Sequence, residues 1–290
     1  MHDRIGLGWR PQLSASILSN RHRIDVVEVI ADDYFHTSRR TLRALKTLAA
    51  QVPLVLHGVT LGLASAVPVA EERLEKMARL VGEIQPECWS EHLAFVRGGG
   101  YEIGHLAAPP RTSATIEGAT ANLARARAVV GVTPLVENVA TLIDPPGSIY
   151  DEATWITEIL SAANCDLLLD LHNLYANAVN FQFDPQQFLA QIPRERIAAI
   201  HVAGGQWIGG ATTASSSRRL LDDHLHDVPE AVYDLLTEVG RRAPRPLTVI
   251  LERDGRFPPF DRLLEQLDRA RHALAQGRSQ RAAFLREQAI

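Results

Sequence analysis

The sequence predicts a single-domain α/β protein with the (β/α)₈ architecture of a TIM barrel. Short β-branched or leucine-rich runs alternate with longer amphipathic stretches along the whole chain, as the strand–helix units of a parallel sheet do. A length of 290 residues with 46% hydrophobic content is enough for one large core. No proline-rich or low-complexity linker divides the chain, which favours one domain over residues 1–290.

Eight runs have the length and composition of strands. They cover residues 5–9, 26–30, 53–58, 88–94, 134–139, 166–171, 197–203 and 247–252. Helical patterns lie between them, for example at 40–51, 71–84, 113–130, 151–160 and 229–242. Several of these stretches open with Ser, Asp or Pro, as helices do.

Two segments depart from this alternation. Residues near 204–221 are long, small and polar, so we predict a mobile loop there. The last residues, near 275–290, have helical propensity and extend beyond the final strand–helix unit. We therefore expect a C-terminal helical extension.

The overall charge argues against two classes of partner. A net charge of -4 and a pI near 6.3 give no general attraction for nucleic acid or for an anionic membrane. No apolar run is long enough to span a bilayer, and the N-terminal residues lack a secretory signal pattern. A cytoplasmic location is expected, with Cys88 and Cys165 as free thiols outside any site.

Histidines and carboxylates recur at the ends of the predicted strands. These residues are His57, Glu91, His92, Glu137, Asp170, His172, His201 and Glu252. The carboxyl ends of barrel strands meet at one mouth, where the active sites of such barrels lie. A single strand-end histidine is more often structural than ligating, so the prediction depends on the whole set.

The spacing within the set assigns some side chains. Glu91 and His92 are adjacent and face opposite sides of a strand, so we take His92 as a ligand and Glu91 as a hydrogen-bond partner that orients an imidazole. Asp170 and His172 face the same side if their strand continues. Asn173 either supplies an oxygen ligand or caps the next segment.

Two further candidates lie beyond the polar loop. Asp222 and His224 have a D-x-H spacing and complete the set, with His226 as an uncertain neighbour. The candidate metal ligands are therefore His57, His92, Glu137, Asp170, His172, Asn173, His201, Asp222, His224 and Glu252. They are too many for one ion, which implies two or three metals. Imidazole and carboxylate without thiolate suit iron, manganese or zinc.

Four polar residues at or just beyond strand ends are predicted to bind substrate. They are Arg10, Asp32, Asp33 and Asn138. Ordinary loop polarity explains them almost as well, and the same holds for Arg253 and Asp254. We predict no catalytic residue apart from the metal ligands.

The motifs in their order resemble a known family. GLGWR, VEVIADDYF, LHGVTLGL, SEHLAF, LVENVATL, LLLDLHNLYANAVN, IHVAGG, LDDHLHDVP and LERDGRFPP follow one another along the chain. Together they resemble the multinuclear non-haem iron-dependent oxidative enzymes, which include the oxazolone-forming enzyme of methanobactin biosynthesis. The resemblance implies a TIM barrel holding two or three iron ions in a mixed Fe(II)/Fe(III) state, with O₂ as co-substrate.

The resemblance also implies how the ligands are divided. His57, His92 and Glu137 look like ligands of one iron, and Asp170, His201 and Glu252 like ligands of a second, with Glu137 as a candidate bridge. Asp222 and His224, with His172 or Asn173, resemble a third site.

In such enzymes one iron holds a substrate group, often a cysteine thiolate, and the other activates O₂. The implied substrate is a ribosomally made precursor peptide, and the implied partner is a separate leader-binding protein. This chain departs from many relatives at Asp32 and Asp33, at His172 and at Gly205, which affects the third metal site and the substrate contacts.

Two other functions stay open from the residues alone. One is a zinc or manganese hydrolase or isomerase on a similar barrel, in which the metals activate water or a hydroxyl group. The other is a non-catalytic subunit that binds metal and peptide.

Overall fold

The computed structural model describes residues 2–209 and 218–288. The strands in chain order are β1 Arg4–Gly8, β2 Val26–Ile30, β3 Leu54–Gly58, β4 Trp89–His92, β5 Phe95–Gly98, β6 Tyr101–Ala107, β7 Leu135–Glu137, β8 Leu167–Asp170, β9 Ile197–Val202, β10 Gly205–Ile208, β11 Arg219–Asp222 and β12 Thr248–Leu251. Eight of them close into a barrel in the order β1-β12-β9-β8-β7-β4-β3-β2. All neighbours in this ring are parallel. The predicted TIM barrel is confirmed.

Helices follow the barrel strands and cover their outer side. They are α1 Ser14–Ser19, α2 Arg39–Ala49, α3 Glu71–Ile84, α4 Ser113–Val130, α5 Glu152–Ala163, α6 Leu171–Phe181, α7 Pro185–Gln191, α8 Glu230–Arg242 and α9 Phe260–Gln288. Polar side chains cap several of their N-termini: Asp151 accepts a hydrogen bond from the Thr154 amide at 2.7 Å, for example. One continuous core of buried Val, Leu, Ile and aromatic side chains joins the helices to the barrel.

One predicted strand ends earlier than expected, and this changes how a site residue is placed. The run at 166–171 is a strand only to Asp170, because the Asp170 carboxylate accepts the Asn173 amide at 2.7 Å and starts α6. His172 therefore lies in the first turn of α6. The argument that Asp170 and His172 alternate along one strand is wrong, although both side chains are buried at the same mouth.

Two antiparallel hairpins lie outside the barrel sheet. β5 pairs with β6, and β10 pairs with β11. The second hairpin occupies both ends of the segment predicted as a mobile loop, whereas residues 210–217 lie outside the described residues. The mobility of this segment stays a prediction.

Helix α9 runs to Gln288 and covers most of the segment for which a C-terminal helical extension was predicted. Its last turns are exposed, with Phe284 51% and Leu285 49% accessible, and residues 289–290 lie outside the described part. Cys165 is buried and Cys88 partly buried, and both are free thiols. Over residues 2–209 and 218–288, no helix has the length and apolar content needed to cross a membrane.

Candidate metal centre

Three strand ends bring two imidazoles to one oxygen of Glu137. Nε2 of His57 lies 3.4 Å and Nε2 of His92 lies 3.3 Å from Oε2 of Glu137. The opposite nitrogens are held in place: Nδ1 of His57 is 2.8 Å from the Ser90 hydroxyl, and Nδ1 of His92 is 3.2 Å from the Gly58 carbonyl. Both Nε2 atoms therefore face the same point at the barrel mouth.

The other oxygen of Glu137 faces a second group. Nδ1 of His201 lies 3.0 Å from Oε1 of Glu137 and 3.2 Å from Oε2 of Glu252. With Asp170, these residues offer four ligand atoms that all lie within 4.8 Å of one another, as do the three atoms of the first group. Glu137 thus belongs to both groups, in the position of the bridge that the resemblance implied.

A third set continues from Glu252 toward the β10–β11 hairpin. Asp222 lies 2.9 Å from Nε2 of His224 through Oδ2 and 2.7 Å from Nδ1 of His172 through Oδ1. Nε2 of His224 is 3.7 Å from Oε2 of Glu252. In this set His172 rather than Asn173 contacts Asp222.

Among the residues that the structure describes, several buried atoms of the centre have no hydrogen-bond partner. They are Oε2 of Glu137, Oδ2 of Asp170, Nε2 of His172, Oδ1 of Asn173, Nε2 of His224 and Oε2 of Glu252. Each such atom costs about 1–3 kcal/mol when it is buried without a partner. A shared cation removes this cost, so the centre fits metal ions, and its nitrogen and oxygen donors fit iron, manganese or zinc.

The electrostatics of the centre lead to the same conclusion. Burial, together with the negative charges of Asp222, Glu137 and Glu252, raises the pKa of Asp170 well above its ordinary value. Burial would lower the pKa of His92, but the nearby carboxylates, Glu137 first, raise that pKa to about 9. A metal ion must therefore displace protons from the imidazoles when it binds.

Carboxylates outside the ligand set orient the imidazoles. Oε2 of Glu28, in the middle of β2, lies 2.9 Å from Nε2 of His201. Asp254 lies 3.1 Å from Nδ1 of His224 and also pairs with Arg10, whose Nε is 3.1 Å away. Such partners fix which imidazole nitrogen is free to bind metal. The sequence interpretation missed Glu28, whose signal was a single charge inside the apolar run VVEVI.

Glu91 binds backbone amides and also lies beside the ring of His92. It is fully buried, and its carboxylate accepts hydrogen bonds from the amides of Leu61 at 3.2 Å and His92 at 3.0 Å. The Glu91 carboxylate lies 3.6 Å from Nδ1 of His92. It thereby ties the segment after β3 to the end of β4.

The four residues predicted to bind substrate have different surroundings. Asp32 accepts hydrogen bonds from the Val59 amide at 2.9 Å and from the Thr60 hydroxyl, so it holds the segment after β3. Arg10 forms an ion pair with Asp254. Asp33 lines a separate cavity near Trp9.

Asn138 is buried and binds the backbone of Asp170. It accepts from the Asp170 amide at 2.8 Å and donates to the Asp170 carbonyl at 2.9 Å. Its amide thereby positions a candidate ligand. Substrate contact by any of the four residues stays a prediction.

A cavity of about 430 Å³ opens above the centre. Its floor contains His92, Glu137, Asn173, Asp222 and His224. Its walls are mainly apolar and come from β6, β11 and the connection after β7, where Ile143 is 72% exposed at the rim. A ligand in this cavity would reach the candidate metal ligands.

The barrel and its mouth define a TIM-barrel protein with a candidate multinuclear metal centre of imidazoles and carboxylates. Residues 4–275 match the family described as the RiPP precursor modification enzyme MbnB/TglH/ChrH. The chain belongs to this family, which confirms the resemblance drawn from the motifs.

Relatives cover nearly the whole chain. A UPF0276 protein of Anaeromyxobacter sp. (strain Fw109-5) is 33% identical over 265 residues, which are 91% of this chain and 90% of that protein. A UPF0276 protein of Caulobacter vibrioides is 33% identical over 278 residues, 95% of this chain and 96% of that protein.

Solved structures share the fold at low sequence identity. A D-tagatose 3-epimerase-like protein aligns with a TM-score of 0.58 and 14% identity over 97% of this chain and 99% of that chain. A xylose isomerase domain protein from Planctomyces limnophilus aligns with a TM-score of 0.55 and 16% identity, covering 98% of this chain and all of that one. At such identities the likeness concerns the barrel alone.

Proposed function

We propose that this protein is an O₂-dependent oxidase that uses two or three iron ions to modify a ribosomally made precursor peptide. The observation that carries the proposal is the position of Glu137, whose two oxygens face two separate groups of candidate ligands. A carboxylate shared in this way suits two metal ions that act together on one substrate. Family membership supports the peptide substrate.

The chain's own residues bind and separate the ions. His57, His92 and Glu137 would hold one ion, while Asp170, His201 and Glu252, with Glu137, would hold the next. Asp222 and His224, with His172 or Asn173, are the proposed third site. Iron in a mixed Fe(II)/Fe(III) state would supply the redox chemistry with O₂ that these side chains lack.

The cavity above the centre would receive the peptide. About 430 Å³ holds a few residues of an extended segment, and the apolar walls would exclude water from the reacting group. The exposed apolar rim at Ile143 would contact further parts of the peptide. A separate leader-binding protein stays part of the proposal, as does a cytoplasmic location.

The test is turnover on a peptide. The protein, purified without oxygen and loaded with iron, is mixed with a short precursor peptide encoded beside its gene and with any leader-binding protein encoded there. We expect a mass change in the peptide that requires O₂ and is lost in Glu137→Gln. An equal mass change without O₂, or with zinc in place of iron, would contradict the oxidase and favour a hydrolase or isomerase.

A further inference from the structure

A second cavity, of about 310 Å³, lies directly beside the one above the metal centre. Ala108, Val139 and Thr141 line both cavities. The second cavity also reaches Leu93 and Asn138, which directly follow the candidate ligands His92 and Glu137. A group held in this cavity would therefore be close in space to a substrate atom at the metals.

Aromatic side chains form much of the wall of this side cavity. Trp155 and Phe188 are buried, and Phe183 is partly buried, between the start of α5 and the beginning of α7. The indole nitrogen of Trp155 already donates to the Thr115 hydroxyl at 3.1 Å. The rings therefore offer apolar surface and π faces, which suit an alkyl stem or an organic cation.

The side cavity also carries an excess of negative charge. Four carboxylates line it, and one guanidinium, that of Arg111. Asp144 pairs with Arg111 at 2.6 Å. Two others cap helices: Asp151 starts α5, and Asp184 accepts the Gln186 amide at 2.9 Å at the start of α7.

Unlike the other three carboxylates, Glu152 neither caps a helix nor pairs with Arg111. Its Oε2 accepts from Nδ2 of Asn177 at 3.2 Å, and within residues 2–209 and 218–288 it forms no ion pair of 4.0 Å or less with a basic side chain. Burial raises the pKa of Glu152 to about 7, although the positive charge of Arg111 acts in the opposite direction. When it is ionised, Glu152 thus faces an aromatic cavity, and no basic side chain of the described residues pairs with it.

We propose that the side cavity is a subsite for a basic side chain, arginine or lysine, of the substrate peptide. The alkyl stem would pack on Phe183 and Phe188, and the cation would pair with Glu152. Anionic groups are excluded because the charge of the wall repels them. This inference rests on the proposed function for its peptide, and it places the basic residue within a few positions of the residue modified at the metals.

Binding of small amides tests the subsite without turnover. Nα-acetyl-arginine amide, Nα-acetyl-lysine amide and Nα-acetyl-citrulline amide are titrated into the full-length, iron-loaded protein by calorimetry, without oxygen and at low salt. Citrulline has nearly the shape of arginine but no charge. We expect at least one basic amide to bind ten times more tightly than the citrulline amide, and the preference between the two basic amides identifies the side chain.

Three variants locate the binding. Glu152→Gln keeps the acceptor for Asn177 and should reduce the preference for the cation to within about twofold. Glu158→Gln, on the exposed side of the same helix, should leave it unchanged. Phe183→Leu should weaken the binding of all three amides. Because leucine is also apolar, this variant is a second check if Glu152→Gln folds poorly.

Equal binding of the arginine, lysine and citrulline amides, or an unchanged preference in Glu152→Gln, would overturn the subsite. Because the titration involves no O₂ and no product, the subsite can fail while the oxidase survives. The converse also holds, since a zinc-loaded hydrolase with this cavity would still bind the basic amide.

Discussion

Replacing Glu28 by glutamine tests how His201 is held for metal binding. Glu28 and His201 are 3% and 0% exposed, and Oε2 of Glu28 accepts from Nε2 of His201 at 2.9 Å. This contact directs the lone pair of Nδ1 toward Glu137 and Glu252. Glutamine keeps an oxygen acceptor of nearly the same shape and removes the charge.

The size of the effect follows from that contact. A hydrogen bond to a charged group is worth about 1.5–3 kcal/mol and a neutral one about 0.5–1.5 kcal/mol. The exchange therefore costs roughly 1–1.5 kcal/mol, or about tenfold in affinity. Removing such an outer partner of a metal-bound histidine usually weakens metal binding by about 10–100-fold, so we expect about tenfold for the ion in the group of His201.

Competition with a chelator measures this affinity. Iron-loaded wild type and Glu28→Gln are dialysed against increasing chelator without oxygen, and iron per chain is counted by mass spectrometry. One ion should dissociate from Glu28→Gln at an about tenfold lower concentration of free chelator than from wild type. The ion of the group with His57 should remain bound. Glu83→Gln, an exposed carboxylate paired with Lys46, serves as the control and should match wild type. Superimposable curves for Glu28→Gln and wild type would refute the role of Glu28.

Three further substitutions test other parts of the account. Glu152→Gln should raise the free energy of unfolding at pH 8, on the order of 2 kcal/mol, but not at pH 4. The folded protein raises the pKa of Glu152 from 4.5 to about 7, so the wild type loses stability as the pH rises from about 4.5 to about 7, and glutamine avoids this loss. An equal gain at both pH values in urea denaturation would contradict this. Asn138→Ala removes both side-chain hydrogen bonds to the buried amide and carbonyl of Asp170, so urea denaturation should show a loss of about 2–5 kcal/mol, and a loss below 1 kcal/mol would refute that role. Gly205→Ala places a methyl group against the ring of His172 and a backbone oxygen of β11, so the ion of the third set should be lost while the other two remain, as metal counting would show; loss from the first two groups instead would contradict the assignment.

Local patterns predicted the barrel because each strand is an apolar run of the right length. The observed β2 matches the predicted range 26–30, and the other barrel strands lie within one residue of theirs, except that β4 and β7 each end two residues earlier than predicted. The hairpin strands β5 and β6 were not predicted as separate strands, since their residues are largely exposed and carry no apolar periodicity.

The site was less predictable where contacts join distant parts of the chain. Asn138 acts on Asp170, 32 positions away, and Asp32 acts on Val59, 27 positions away. No local sequence pattern distinguishes a side chain that holds distant backbone from one that binds substrate. The role of Glu28 was not predicted for a related reason, because its partner His201 is 173 positions away in the sequence.

The central claim is that Glu137 joins two iron sites, and a metal count with one variant tests it most directly. Wild type and Glu137→Ala are purified without oxygen from cells supplied with both iron and zinc, and the metals per folded chain are measured by mass spectrometry. We expect two to three irons in wild type and fewer than one in Glu137→Ala, because both ligand groups lose an oxygen. Zinc with negligible iron in wild type, or the loss of only one ion in Glu137→Ala, would contradict the account.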